Sequence, residues 1–268
     1  NPQMFSHNAF LENYNDFTFN NINVKSLDLI DEAWQNRADL PQNPIFLFDV
    51  KYAGKSASEK IAEVRKEMKQ AKTNVYIMNS LDEIAWLYNI RGNDVNFNPL
   101  AISYAAVDTE KAYLFIDEKK VSNEIIVALN EQGIEIKDYL DIYNYLENLS
   151  NKAHVFVDGN RINQSLFETI PTTSTVKLAT SIVTNLKAIK NETELEGFRN
   201  AMVKDGVALT KFFIWLEENV AQNNIDEVTI SEKLIEFRAT QENFKGPSFG
   251  TICGYADHGA MNHYSATP

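Results

Sequence analysis

The 268-residue chain contains a single cysteine, Cys253, and therefore cannot form an intrachain disulfide. A lone thiol is typical of proteins from a reducing compartment. No apolar run approaches the roughly 20 residues that a membrane-spanning helix requires. The first residues combine neither a basic segment nor an apolar one, so no secretory signal peptide is expected. Together these absences predict a cytoplasmic protein without a membrane partner.

Basic residues are also scarce. The chain has 25 Lys and Arg residues against 37 Asp and Glu residues, which gives a formal net charge of −12 and a pI near 4.9. Nonspecific nucleic-acid binding depends on a basic surface, so this balance argues against a nucleic-acid partner. Apolar residues make up 44% of the chain, which is enough for a hydrophobic core and excludes wholesale disorder.

Short β-rich runs alternate with helical patterns through the middle of the chain. The predicted strands are residues 45–48, 75–78, 100–107, 111–116, 134–136, 154–157 and 176–179. Ser56 and Glu59 have capping-box spacing at the start of an amphipathic segment. Three polar residues separate the third and fourth strands, which predicts a hairpin. Strands that alternate with helices and include one hairpin predict an α/β fold with a mixed sheet.

The pattern differs towards both ends. Residues 17–24 are predicted to form a short strand, and residues 38–44 a proline-containing linker. After about residue 182, the pattern of apolar and polar residues predicts two long helices. Asn191, with Glu194 three positions later, is the predicted cap of the first. Two strand-like segments follow, at 248–254 and 260–264. Because these elements are too few to close a core, we expect the second domain to be incomplete.

Three segments resemble the three-domain Xaa-Pro aminopeptidases, the aminopeptidase P branch of the creatinase/prolidase pita-bread superfamily. Residues 81–94, LDEIAWLYNIRGND, resemble a specific stretch of that family. Residues 188–205, which begin AIKN, resemble the first helix of its pita-bread catalytic domain. Residues 246–264, from GPSFGTI to NHY, resemble the strand pair that carries a substrate-contacting histidine. The segments occur in the family's order and spacing.

The resemblance implies a domain layout. Residues 1–45 would be the tail of a first domain with a linker, and residues 46–182 a complete, creatinase-N-like α/β domain with a mixed sheet. Residues 183–268 would be the beginning of the α+β pita-bread catalytic domain. The fold class expected is therefore an α/β domain followed by part of a catalytic domain.

The resemblance also implies an activity and its cofactors. The intact enzyme would release the N-terminal residue from peptides with proline in the second position, using two divalent metal ions, expected to be Mn²⁺. It would commonly be a homodimer. In the family all five metal ligands follow the His-Tyr strand, and this sequence ends before them. No metal ligand is therefore carried over, and we expect this chain alone to bind no metal and to be inactive.

His263 is the candidate catalytic and substrate-binding residue. An imidazole can donate a hydrogen bond to a substrate carbonyl or stabilise a tetrahedral intermediate at neutral pH. Phe249 is a second candidate, because a flat ring could pack against proline, although a buried core position remains open. A zinc site is a further possibility, suggested by Cys253, Asp257, His258 and His263. No Cys-x-x-Cys accompanies these residues, and a polar hairpin turn at residues 257–259 is the preferred interpretation.

Two residues of opposite charge lie near the end of the segment 81–94. Arg91 and Asp94 are expected to form an ion pair that fixes a loop, with a structural role preferred. Trp86 lies in an apolar helix and is expected to belong to the core.

Two alternatives remain open. A metal-free hydrolase of the creatinase type would use the same histidine as an acid and base. A non-catalytic homologue would bind peptides or proteins without turnover.

Overall fold

The computed structural model describes residues 1–20, 22–25, 27, 29–222 and 225–267. The chain divides into two units. The first contains residues 1–94 and 99–190, and the second contains residues 95–98 and 191–268. No helix among the described residues is both long and apolar enough to cross a membrane.

The strands of the first unit, in chain order, are β1 (Phe46–Leu47), β2 (Val75–Met78), β3 (Ile90–Arg91), β4 (Tyr104–Asp108), β5 (Ala112–Phe115), β6 (Ile134–Lys137), β7 (His154–Val157) and β8 (Thr175–Leu178). Its described helices are α1 (His7–Phe19), α2 (Ile30–Ala33), α3 (Val50–Ala53), α4 (Ala57–Gln70), α5 (Leu81–Leu87), α6 (Asn123–Glu131), α7 (Asp141–Glu147), α8 (Gln164–Thr169) and α9 (Ile182–Ala188).

A mixed sheet organises the first unit, with the strand order β6-β5-β4-β2-β7-β8. Strand β4 is antiparallel to both of its neighbours, and the other pairings are parallel. The central strand β2 sets Tyr76 opposite Val107 of β4 and Phe156 of β7. The predicted α/β fold with a mixed sheet is confirmed. Strands β1 and β3 form a separate antiparallel pair.

The predicted hairpin joins β4 to β5. The Asp108 carboxylate accepts hydrogen bonds from the backbone N–H groups of Glu110 and Lys111 at 2.7 and 2.6 Å. An Asp side chain that bonds backbone two and three residues ahead is the usual reason for Asp at the start of a tight turn.

Apolar side chains cover both faces of the sheet, because alternate residues of a strand point to opposite sides. Tyr76 and Met78 of β2 pack on one face with α4, α5, α6 and α9. Val75 and Ile77 pack on the other face with α7 and α8. Each fully buried aliphatic side chain contributes about 1.5–3 kcal/mol, so the two clusters are the main source of stability in this unit.

The first unit reaches beyond the limits expected from the sequence at both ends. His7 is buried, and its Nδ1 lies 2.9 Å from Oε1 of Gln164, the first residue of α8. Val183 of α9 is completely buried in the core cluster around β2. The limit placed at residue 182 therefore falls inside a helix that packs on the first unit.

The strand predicted at residues 17–24 is wrong for the described residues of that range, and residue 21 lies outside them. Helix α1 extends to Phe19, begins at the cap Ser6, and stacks the rings of Phe10 and Tyr14 with centroids 5.6 Å apart. The aromatic residues recur at helical spacing, and no described strand lies beside them to pair with an extended segment. Residues 38–44 contain neither helix nor strand, as predicted for a linker.

The second unit is built on α10 (Glu192–Asn219) and α11 (Glu227–Ala239). The predicted Asn191–Glu194 capping box is present. Arg238 of α11 donates to both carboxylate oxygens of Asp205 of α10, at 2.7 and 3.3 Å. Phe212 packs edge-on to Phe237 with centroids 6.4 Å apart.

The strands predicted at 248–254 and 260–264 are wrong. Among the described residues, this stretch contains only a short 3-10 helix at Ala256–Ala260. A strand needs a neighbour to satisfy its backbone groups, and no described strand lies beside these segments.

Candidate functional site

His263, the main candidate from the sequence, lies in the final loop of the second unit. Its side chain is exposed, and its backbone has a φ of 57°. A positive φ is uncommon for a residue other than glycine. The expected position on a strand is therefore wrong, but the imidazole is accessible to a ligand.

The neighbouring residues converge on one carboxylate. Glu227, in the first turn of α11, accepts hydrogen bonds from the Tyr255 backbone N–H at 2.6 Å and from the Tyr264 hydroxyl at 2.7 Å. The Nδ1 atom of His258 lies 3.1 Å from both carboxylate oxygens. The Glu227 side chain is only 14% exposed. One acidic group thus holds three positions of the loop that carries His263.

These hydrogen bonds change the proton affinities of both partners. The Tyr264 hydroxyl and then the Tyr255 N–H lower the pKa of Glu227 below its usual value, because they stabilise the carboxylate. The same hydrogen bond raises the pKa of Tyr264 to about 12. At neutral pH the pair is therefore an ionised carboxylate and a neutral phenol.

Cys253 lies close enough to this group to be affected by it. Burial, and then the charge of Glu227, raise the pKa of the Cys253 thiol. Because the thiolate is the nucleophilic form, Cys253 is a poor nucleophile at neutral pH.

The geometry does not produce a metal centre. Among the residues that the structure describes, no three His, Cys, Asp or Glu side chains are placed to hold a metal ion together. The Nδ1 atom of His258 faces the Glu227 carboxylate. The described residues around Glu227 are therefore not placed to hold a pair of metal ions.

Phe249, the second candidate, is 67% exposed. The alternative of a core aromatic is therefore wrong. The exposed ring could contact a ligand, and its suggested contact with proline stays a prediction.

The segment 81–94 belongs to the core of the first unit. Trp86 packs against the core cluster, and the Lys60 ammonium lies 4.2 Å from the centre of its ring. The ion pair expected between Arg91 and Asp94 is wrong. Asp94 pairs with Lys120 at 2.7 Å, whereas Arg91 donates to the backbone carbonyls of residues 85 and 90.

The sequence interpretation missed Glu227 and Tyr264. Glu227 precedes its hydrogen-bond partners by 28 to 37 positions, and no spacing rule connects a helix start with a distant loop. The only local signal is the helix start itself, which is capped by Asp226.

The chain matches a model described as the creatinase/prolidase N-terminal domain over residues 36–194, more than half of its length. A probable Xaa-Pro aminopeptidase P from Sordaria macrospora is 39% identical over 249 residues, which cover 88% of this chain and 41% of that protein. Xaa-Pro aminopeptidase 1 from Dictyostelium discoideum is 34% identical over 256 residues, which cover 93% of this chain and 40% of that protein. The chain thus spans about two fifths of the length of the curated relatives it matches.

A solved structure also matches the chain. The crystal structure of X-prolyl aminopeptidase from Caenorhabditis elegans, described as a cytosolic enzyme with a di-nuclear active site, matches with a TM-score of 0.93 and 28% sequence identity. The match covers 100% of this chain and 45% of that chain. The fold, the matched model and the relatives agree: the chain belongs to the creatinase/prolidase family, whose N-terminal domain it contains.

Proposed function

We propose that this chain is part of an Xaa-Pro aminopeptidase, which releases the N-terminal residue from peptides with proline in the second position. The observation that carries the proposal is the likeness of the whole chain to the C. elegans enzyme, at a TM-score of 0.93. The names of the relatives point to the same activity.

The proposed domain layout follows the family. Residues 1–45 would be the end of a first domain with a linker, residues 46–182 the second domain, and residues 183–268 the beginning of the catalytic domain. His7 contacts Gln164 across the proposed limit at residue 45. Val183 packs into the core of the first unit across the proposed limit at residue 182.

We propose that two divalent ions, Mn²⁺ being the expected pair, act in the complete enzyme. The di-nuclear site of the C. elegans enzyme supports the number of ions. The described residues do not form such a site, so the ions would be held by other residues. The residues of this chain would then act through contacts with the substrate and not as metal ligands.

Within that activity, His263 would donate a hydrogen bond to the carbonyl oxygen of the scissile peptide bond. The oxygen gains negative charge as the tetrahedral intermediate forms, so the hydrogen bond is stronger in the transition state than in the substrate. Its exposed imidazole supports this role. Phe249 would contact the proline ring.

The test is His263→Ala in the full-length enzyme. Loss of one such donor costs about 3 kcal/mol, and kcat/KM for an Xaa-Pro peptide should fall about 100- to 1000-fold. His154→Ala is the matched control, since His154 is an exposed histidine at the start of β7, and it should leave kcat/KM unchanged. An unchanged rate in His263→Ala would refute the role.

Two further measurements separate the alternatives. Cleavage that survives a strong chelator would favour the metal-free creatinase-type hydrolase. Binding of Xaa-Pro peptides without turnover in the presence of Mn²⁺ would favour a non-catalytic homologue.

A cytoplasmic location and a homodimer complete the proposal. The C. elegans enzyme is described as cytosolic, which supports the location. The homodimer follows from the family resemblance, and light scattering of the full-length protein would measure it.

A further inference from the structure

The loop that carries His263 is held by a side chain outside it. Glu227 binds the backbone of Tyr255 at the start of the loop and the hydroxyl of Tyr264 at its end. His263 is the residue immediately before Tyr264. The position of the imidazole therefore depends on a hydrogen bond one residue away.

The loop contains the short 3-10 helix Ala256–Ala260. Hydrogen bonds from the His258 N–H to the Tyr255 carbonyl and from the Met261 N–H to the His258 carbonyl, at 3.1 and 3.0 Å, join this helix to the residues on either side of it. Ala256 and His263 have φ values of 52° and 57°. Such conformations are strained for residues other than glycine and persist when surrounding contacts impose them.

Glu227 is well placed to supply those contacts. It stands in the first turn of α11, whose cap Asp226 accepts a hydrogen bond from the Thr229 N–H at 2.8 Å. Its side chain is 14% exposed, and its partners donate to an ionised carboxylate. Hydrogen bonds to a charged group are about twice as strong as neutral ones.

We propose that Glu227 is a positioning residue for His263: its carboxylate, bound to Tyr255 and Tyr264, fixes the loop so that the imidazole is held where the substrate carbonyl will lie. The inference rests on the role proposed for His263. Glu227 does not touch the substrate in this proposal and acts only through the loop.

The kinetic test is a double-mutant cycle in the full-length enzyme. Displacing a catalytic group by about 1 Å can cost on the order of 100-fold, so Glu227→Ala should lower kcat by about 10- to 100-fold and leave KM nearly unchanged. Tyr255 and Tyr264 donate to different oxygens of Glu227, so Glu227→Gln, which keeps one acceptor oxygen, can keep one of the two hydrogen bonds and should recover part of the rate. Tyr264→Phe, which removes one hydrogen bond, should have a smaller effect in the same direction.

The double-mutant cycle shows whether Glu227 affects kcat through His263. When His263 is already alanine, Glu227→Ala should cause no further loss of kcat. Glu232→Ala, at an exposed position on the same helix, is the control and should leave kcat unchanged. Equal losses of kcat with and without His263 would overturn the proposal, and so would an unchanged kcat in Glu227→Ala when His263→Ala does lower kcat.

A spectroscopic readout separates this proposal from the function of His263. In the same protein labelled with ¹³C at histidine Cε1, the signal missing from His263→Ala identifies that residue. Glu227→Ala and Tyr264→Phe should shift this signal, and Glu232→Ala should not. If His263→Ala leaves activity unchanged but the signal shifts, the proposed function fails and the positioning stands. An unshifted signal in both variants would contradict the positioning itself.

Discussion

At the scale of single residues, a fully buried ion pair joins Asp94 to Lys120. Their side chains are 0% and 2% exposed, and the Oδ2 and Nζ atoms are 2.7 Å apart. The same oxygen accepts the Ile102 N–H at 2.7 Å. The pair therefore connects the end of the 81–94 segment to the chain that leads into α6.

Removing one partner of this ion pair should destabilise the folded protein. Asp94→Ala leaves a buried ammonium without its counter-charge, and we expect the free energy of unfolding to fall by about 3–5 kcal/mol. Lys111→Ala is the control, because it breaks an exposed pair with Glu135 and should cost at most about 1 kcal/mol. Urea denaturation at pH 7 measures both. Equal losses in the two variants would show that burial does not govern the strength of the Asp94 pair.

The partners of individual charged residues could not be predicted from the sequence. Arg91 and Asp94 are close in the chain, which favoured their pairing, but Lys120 lies 26 positions away and reaches Asp94 only through the packing of the fold. The grouping of Tyr255 and Tyr264 around Glu227 has the same origin. A side-chain pair of this kind depends on tertiary structure, and no local spacing encodes it.

At the scale of elements, helix starts carry their own local signal. Ser56 Oγ accepts the Glu59 N–H at 3.2 Å, and the Glu59 carboxylate accepts the Ser56 N–H at 2.7 Å. Asn191 and Glu194 form the same reciprocal pair at the start of α10. Both boxes were predicted from spacing, because the four groups involved lie within four consecutive residues.

The cap of α4 should contribute measurably to stability. Ser56→Ala removes the side-chain acceptor and should lower the free energy of unfolding by about 1 kcal/mol. Lys66→Ala, at an exposed position of the same helix, should change it by less than about 0.5 kcal/mol. Thermal and urea unfolding would detect the difference. A loss in Lys66→Ala as large as that in Ser56→Ala would argue against the cap.

Elements without a local signal were predicted less well. The strands expected at 248–254 and 260–264 were inferred from β-rich composition, and a strand also needs a neighbour. Helix α1 was missed because its two closely spaced phenylalanines, Phe17 and Phe19, imitate strand alternation at its end. Short apolar runs are ambiguous in this way.

At the scale of the whole molecule, the mixed sheet was predictable, whereas the domain limits stay a prediction. The sheet follows from strands and helices that alternate along the sequence, with one hairpin that reverses β4. The position where the first unit ends depends on which helix is the last to pack against its sheet. Helix α9 supplies Val183, which is completely buried, and Thr184, whose hydroxyl donates to the buried Glu83 carboxylate.

Two shortened chains would locate this end. A chain of residues 1–190 keeps α9 and should unfold in a single cooperative transition in urea. A chain of residues 1–182, which ends at the limit expected from the sequence, loses Val183 and the Lys187–Asp82 ion pair. Burial of one such aliphatic side chain contributes about 1.5–3 kcal/mol, so the shorter chain should be at least about 2 kcal/mol less stable. Equal stability of the two chains would mean that α9 belongs to the second unit, because the sheet and its two apolar faces would then be complete without it.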